Sequence, residues 1–516
     1  MRLIATLWCL IPLFLCGQFK VKTFGDPAIP GNEPSISIDP NDADNIWLAF
    51  NNNHVYHSLN GGKQWLDIKV NPPQGFYGDP VIHVTSAGVV YLAHLAKNPK
   101  KSYPESFDCI VFERSTNGVE FHSKAIGKNG KMQDKPWIAV DEWIESPFKN
   151  SVYLSWTEFD KYGSKESGDS SRIRFCFSRD YGATFSDPVV ISDVSGDAKD
   201  GDQTAEGATI GILQNGTLCC VWSRNDTLWY DLSRDGGETW GKDQVLSSMK
   251  GGWSMDQVQG MMRTNGMPFV THDKKGKLYV IYAAEDARGD ANIYYHVYYP
   301  KREHFSQAIK INDDHGQRSQ FCPFVKMDQN TGYPRVIWYD KRNSETGKFC
   351  QVYTAELRNQ RVSPNHCLTN VPIPLTGNDK FYGDYIGFDT HKGQGGRAVF
   401  TGYDFQTNQN VIQLAQWNKK HPKRSKAAPC VAINPNDDSD SAIFMIQMPG
   451  ETSCTFEIKT GRFTKVQKVF LSDTDKGFGS DDFIEVYVNK QALPSGVYNV
   501  ILRRKNLMVK KRYWVE

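Results

Sequence analysis

Apolar residues in this chain come in short runs rich in β-branched and aromatic side chains, cut by Gly, Pro, Asn and Asp. Runs such as Asn45-Ile-Trp-Leu-Ala-Phe50, Ser151-Val-Tyr-Leu-Ser-Trp156, Lys277-Leu-Tyr-Val-Ile-Tyr282 and Arg335-Val-Ile-Trp-Tyr339 read as strands. Just upstream of such runs a motif recurs seven times, anchored at Pro34, Pro80, Pro136, Ala208, Pro268, Pro323 and Tyr385. Typical copies are Gly-Asp-Pro80-Val-Ile-His-Val and Asp-Lys-Pro136-Trp-Ile-Ala-Val, and the anchors lie 46 to 72 residues apart. Proline suits the first residue of a strand. Each unit therefore reads as a short four-stranded sheet. Seven anchors predict an all-β, seven-bladed propeller, with six blades and a terminal closure as the alternative.

A second motif follows the strands in the first four units. It reads Ser58-Leu-Asn-Gly-Gly-Lys-Gln-Trp65, Ser115-Thr-Asn-Gly-Val-Glu-Phe121, Ser178-Arg-Asp-Tyr-Gly-Ala-Thr-Phe185 and Ser233-Arg-Asp-Gly-Gly-Glu-Thr-Trp240. The Ser and Asx side chains (Asn60, Asn117, Asp180 and Asp235 in the four copies) can close a tight loop on nearby backbone. Glycine supplies the positive φ of the turn, and the terminal Trp65, Phe185 or Trp240 drops into an apolar layer. This is a hairpin clasp. The last three units lack a good one; Tyr299-Pro-Lys-Arg-Glu-His-Phe305 reads as a decayed copy.

Length and charge narrow the picture. The 516 residues suffice for a large propeller and one small domain, and a net charge of +2 gives no ground for a nucleic-acid partner. Residues 1–17 read as a secretory leader, with Arg2, an apolar run too short to span a bilayer, and a cleavage site near Gly17. No other segment could span a membrane. Residues 18–418 form the propeller unit, 419–429 a basic linker, and 430–516 a small β-sandwich. Nine cysteines remain after the leader, an odd number without metal-type spacing. Several read as small apolar strand residues, and Cys430 with Cys454 could form a local bridge.

The Ser-x-Asp-x-Gly-x-Thr-Trp clasps resemble the Asp-box (BNR) repeats of the sialidase (neuraminidase) superfamily, over roughly residues 20 to 418. Leu493-Pro-Ser-Gly-Val-Tyr498 and Val509-Lys-Lys-Arg-Tyr-Trp-Val515 resemble the sorting domain of the Bacteroidota type IX secretion system. The resemblances imply a secreted or cell-surface protein that uses an export machinery through its C-terminal domain. They also imply that the clasp residues are structural. Sialidases carry an Arg-Ile-Pro motif whose arginine begins a triad that clamps the sialic-acid carboxylate. This chain has no arginine between Arg2 and Arg114, so the active site departs from that pattern.

Residues flanking the anchors should ring one mouth of the channel: Glu33, Asp79, Asp134, Lys135, Glu206, Arg318, Gln320, Tyr382 and Asp384. Asp79 and Asp384 share a Tyr-Gly-Asp context. Asp79, Asp384, Glu206 and Tyr382 are the catalytic candidates, with carboxylates as acid and base for glycoside cleavage. Arg318, Arg342, Asp134 and Trp137 are the substrate-binding candidates. The same carboxylates could hold a structural calcium ion or simply line a wet channel; no cofactor is required. The expected function is glycan processing by a glycoside hydrolase with a non-standard site. A non-catalytic glycan- or protein-binding propeller is the alternative. A polysaccharide lyase using His83, His94 or His272 comes third.

Overall fold

A computed structural model describes residues 19–24, 31–417 except 256–257, 259, 317, 345–346, 370–371, 376–380 and 405–408, and the strands between 430 and 515. The leader, its cleavage site and the linker expected from sequence lie outside the described residues. The described chain is all-β, and seven antiparallel sheets follow one another as blades. Their innermost strands are Ser35–Ile38, Val81–Val84, Met132–Val140, Glu206–Ile212, Phe269–His272, Gln320–Asp328 and Gly387–His391. Each starts one or two residues after, or runs across, one of the seven anchors. The seven-blade reading holds, and the six-blade alternative does not.

Blade 7 is built from both ends of the propeller. Its strands Gly387–His391, Gly395–Asp404 and Gln409–Trp417 are completed by the N-terminal strand Phe19–Phe24. The register runs from Phe19 opposite Trp417 to Phe24 opposite Ile412. Phe24 then packs edge-on against Tyr56 and Trp65 of blade 1, with ring centroids at 4.9 and 4.7 Å. Blades pack face to face through apolar layers. Ile36, Ile46 and Leu48 of blade 1 meet Val399, Ile412 and Leu414 of blade 7, while Trp47 and Val55 meet Ile82, Val84 and Leu92 of blade 2.

The inner strands start in a strained way. Glu33, Asp79, Lys135 and Cys322 all take left-handed backbone conformations, with φ of 54, 56, 49 and 46°. Each directly precedes a proline: Pro34, Pro80, Pro136 or Pro323. A left-handed L-residue costs about 1–2 kcal/mol. Bulges at Asp134/Trp137, Glu206/Thr209 and Phe321/Phe324 accompany this geometry. A bulge re-aims side chains, and the side chains of Glu33, Asp79 and Lys135 meet one another across three blades.

The clasps occupy the turns between third and fourth strands. A meander that starts each inner strand at one face puts these turns on the opposite face from the strand starts. In the third clasp, the Gly182 amide donates to Ser178 Oγ (2.8 Å), Ser178 Oγ donates to Asp180, and Asp180 accepts from the Thr184 amide and hydroxyl at 2.7 and 2.6 Å. Ser233, Asp235, Gly237 and Thr239 repeat the pattern. Ser58 with Asn60, and Ser115 with Asn117, do so with an amide. Each clasp also touches the preceding blade. Gly237 (φ 102°) comes so close to Phe175 that a Cβ would lie 2.6 Å from its ring. Arg179 of blade 3 donates to Gly236 O of blade 4, Arg114 of blade 2 to Tyr181 O of blade 3, and Arg397 of blade 7 to Gly61 O of blade 1. The Tyr299–Phe305 segment keeps the hairpin turn, and its Glu303 pairs with Arg234 of the fourth clasp.

Cys109, Cys176, Cys219, Cys220, Cys322, Cys350 and Cys367 are free, and all but Cys367 are buried. The side chains of Cys430 and Cys454, where a bridge was expected, lie outside the described residues. After the propeller come a three-stranded sheet (Cys430–Asn434, Ser441–Gln447, Ile484–Asn489) and a four-stranded one (Phe463–Phe470, Ser453–Thr460, Gly496–Arg504, Leu507–Val515). Ile458 and Val500 are fully buried there.

Blade 7 closure makes Phe24 a test of the ring. Phe24→Ala should cost about 2 kcal/mol of unfolding free energy in a urea titration, the half-buried share of a Phe-to-Ala loss.

Candidate functional site

At the mouth where the inner strands start, one ammonium group lies among three carboxylates. Lys135 Nζ donates to Asp79 Oδ2 (2.6 Å) and Glu33 Oε1 (3.2 Å), and pairs with Asp384 Oδ2. These residues come from the starts of blades 3, 2, 1 and 7, and all four are nearly or fully buried. The left-handed backbone before Pro34, Pro80 and Pro136 is what points three of them inward. Asp384 is held further by Arg263 (2.9 Å) and by Asn265 Nδ2 (2.7 Å), and its amide donates to Glu33 Oε1. Asn51 bridges Glu33 and the Asp79 amide.

The charges set each other's protonation. Burial, and then the Asp79 carboxylate, push Glu33 up to about 8. Burial also raises Asp79 and would raise Asp384, but Arg263 and Lys135 hold Asp384 at about 2. Burial works against the Lys135 charge, yet Asp384, Asp79 and Glu33 outweigh it and raise Lys135 well above the ordinary lysine range. The centre is therefore a fixed Lys135–Asp384–Arg263 chain beside Glu33, which keeps its proton to about pH 8.

A second group adjoins it. Arg263 also grips Asp200 Oδ2 (2.7 Å), which accepts from the Tyr162 hydroxyl at 2.5 Å, while Trp253 Nε1 donates to Asp200 Oδ1 (2.9 Å). Glu206 is fully buried, and neither of its carboxyl oxygens has a hydrogen-bond partner. Burial, and then Asp200 and Asp134, raise it well above the ordinary range and favour its protonated form. Burial likewise lifts Asp134 to about 6. Above this group stand aromatic rings. Tyr103 is 59% exposed and Tyr77 42%, their centroids 6.2 Å apart; Phe107 lies 4.3 Å from Tyr77, and Tyr162 6.3 Å from Tyr103. Phe381 lies under the Arg263 guanidinium at 5.2 Å. A cavity of about 380 Å³, lined by Lys100, Lys101, Glu105, Lys131 and Met132, lies along the loop that carries Tyr103.

The structure thus brings together Asp79, Asp134, Glu206 and Asp384 of the sequence candidates, along with Glu33 and Lys135. The other candidates sit elsewhere. Tyr382 is buried, with its hydroxyl donating to Pro374 O and its ring 6.4 Å from Tyr339. Trp137 packs against Phe269, Phe324 and Tyr385, so four aromatic rings fill the channel below the mouth. Arg342 ties Asp340 (2.8 Å) to Asp313 (2.6 Å) over the Tyr353 ring, and Arg318 donates to Ser344 O. His94 stacks on Phe76, His272 leans on Trp143, and His83 lies beside the Lys326–Asp389 pair, where burial drops it to about 3. Sequence reasoning missed Arg263, Asn265, Asp200, Tyr162 and Tyr103. Only Arg263 and Asn265 had a local signal, five and three residues before the Pro268 anchor. Among the described residues, no group of three or more His, Cys, Asp or Glu is arranged to hold a metal ion.

Two stability effects follow. Lys135→Met leaves three buried carboxylates without their shared cation and should cost about 3–5 kcal/mol in chemical denaturation. Between pH 4.5 and about 8 the unfolded chain has released the Glu33 proton that the native state keeps, so each rise in pH favours unfolding. Asp134 adds to this between 3.8 and about 6. Melting temperature should fall from pH 5 to 8, and Glu33→Gln should flatten the slope above pH 6.

No protein-family profile matches the chain, and no curated protein matches it in sequence. Among solved structures, the NanB sialidase from Streptococcus pneumoniae aligns at 10% identity over 73% of this chain and 82% of that one, with a TM-score of 0.43. The Hadza microbial sialidase Hz136 aligns at 13% identity over 72% and 73%, with a TM-score of 0.40. YCF48 from Cyanidioschyzon merolae aligns at 12% identity over 78% and 99%, with a TM-score of 0.42. Likenesses at these values carry no argument about family or activity.

Proposed function

We propose that this protein is a secreted, glycan-processing glycoside hydrolase whose site is the acid cluster at the channel mouth. The observation that carries the reading is Glu206: a buried carboxyl group with no protein partner for either oxygen, which burial, Asp200 and Asp134 push toward its protonated form. Such an acid can give its proton to a glycosidic oxygen as the bond to the leaving sugar breaks. Asp134, deprotonated above about pH 6, is the carboxylate that faces the developing positive charge or activates water. Asp384, Lys135 and Arg263 hold the walls and take no proton. The Asp79 carboxylate is engaged by Lys135, which argues for a positioning role.

Export through residues 1–17 and the C-terminal strands belongs to the same proposal. So does the low weight of sialidase activity proper: of the described arginines, Arg263 alone reaches the cluster, and it already grips Asp200 and Asp384. The exposed Tyr77 and Tyr103 favour a second reading, a propeller that binds glycans without cleaving them. The lyase reading has no histidine of the cluster to support it.

The test is reducing-end release by the chain from Gln18, over sialoglycoproteins, glycosaminoglycans and algal and plant polysaccharides. Glu206→Gln and Asp134→Asn should each lower release by about 100-fold or more without lowering the melting temperature. Binding to a glycan without release from any of them would replace the enzyme by the binding propeller.

A further inference from the structure

The cluster at the mouth is rich in carboxyl groups and has no cation to spare. Glu33, Asp79, Asp134, Asp200, Glu206 and Asp384 converge there, against Lys135 and Arg263. Lys135 is shared by Glu33, Asp79 and Asp384; Arg263 is shared by Asp200 and Asp384 and lies over Phe381. An arriving carboxylate would need a guanidinium or ammonium donor. Each of these is already bonded, and the surrounding oxygens repel a further anion. In the neighbouring basic cavity Lys101 is paired with Asp108 (3.1 Å) and Lys131 with Asp160 (2.7 Å), and Lys100 is exposed to solvent.

The exposed part of the mouth has the opposite character. Tyr103 and Tyr77 offer open ring faces, and the Tyr162 hydroxyl joins this aromatic wall to Asp200. Apolar C–H faces stack on such rings. Sugar hydroxyls both donate and accept, and neither carboxyl oxygen of Glu206 is used by a protein group. We infer that the mouth takes an uncharged sugar, stacked on Tyr103 and Tyr77 with its hydroxyls hydrogen-bonded to Asp134, Asp200 and Glu206, and that it rejects sialic and uronic acids.

This rests on the glycan reading above but not on catalysis. Saturation-transfer NMR and titration calorimetry on the chain from Gln18 would use paired probes: asialo- and sialo-oligosaccharides, galacto- and galacturono-oligosaccharides, and gluco- and glucurono-oligosaccharides. The neutral member of at least one pair should bind, by about tenfold or more over its acidic partner. Tyr103→Ala, at an exposed position that leaves folding intact, should weaken that binding by about tenfold. Equal or tighter binding of the acidic members overturns the inference, as does the absence of binding by every neutral probe. Neutral binding without cleavage sinks the hydrolase and leaves this inference standing. Cleavage of a sialylated or uronic-acid glycan does the reverse.

Discussion

Everything at the axis of this propeller hangs on one buried ammonium. Lys135 is surrounded by carboxylates from blades 1, 2 and 7, while it belongs to blade 3. It therefore stitches the seam where the ring closes. Burying charges is costly unless they are paired and hydrogen-bonded. Here the pairing is over-supplied with acids, so some of them keep protons, and Asp384 becomes the permanent anion. The same centre justifies the backbone strain of Glu33, Asp79 and Lys135, because only a left-handed turn before proline aims these side chains inward.

The opposite face solves a different problem. There the clasps join each of the first four blades to its predecessor through carbonyls that accept from Arg397, Arg114 and Arg179, and through glycines pressed against aromatic rings. Their Asp and Ser side chains are consumed inside their own turns. A residue whose oxygens are all bonded to its own loop is poorly placed to meet a ligand. Architecture and chemistry are thus separated by the length of a strand.

That separation explains what the amino-acid sequence could disclose. Clasps and proline anchors are local patterns, so blade number and strand starts were readable from spacing alone. Glu33, Asp79, Asp134, Lys135, Glu206 and Asp384 converge because each lies one or two residues before an anchor. Trp137 shares another position: it follows its proline, as Phe269 and Phe324 follow theirs, and the three pack together in the channel with Tyr385. Asp200, Tyr162 and Tyr103 reach the mouth on loops of no fixed length, and nothing nearby in sequence marks them. Arg342 and Arg318 were drawn to the mouth by charge type, yet the acids and carbonyls of their own loops claim them first.

Closure through Phe19–Phe24 also orders events in time. The first strand of the propeller to leave the ribosome pairs with the last, Gln409–Trp417. Joining them closes a loop of nearly the whole domain, the most non-local contact the fold contains, and such contacts form late. Until Gln409–Trp417 is made, Phe19–Phe24 has no partner strand in the ring and is open to any other strand in reach. The ring is thus exposed to mispairing at its seam for as long as its synthesis lasts.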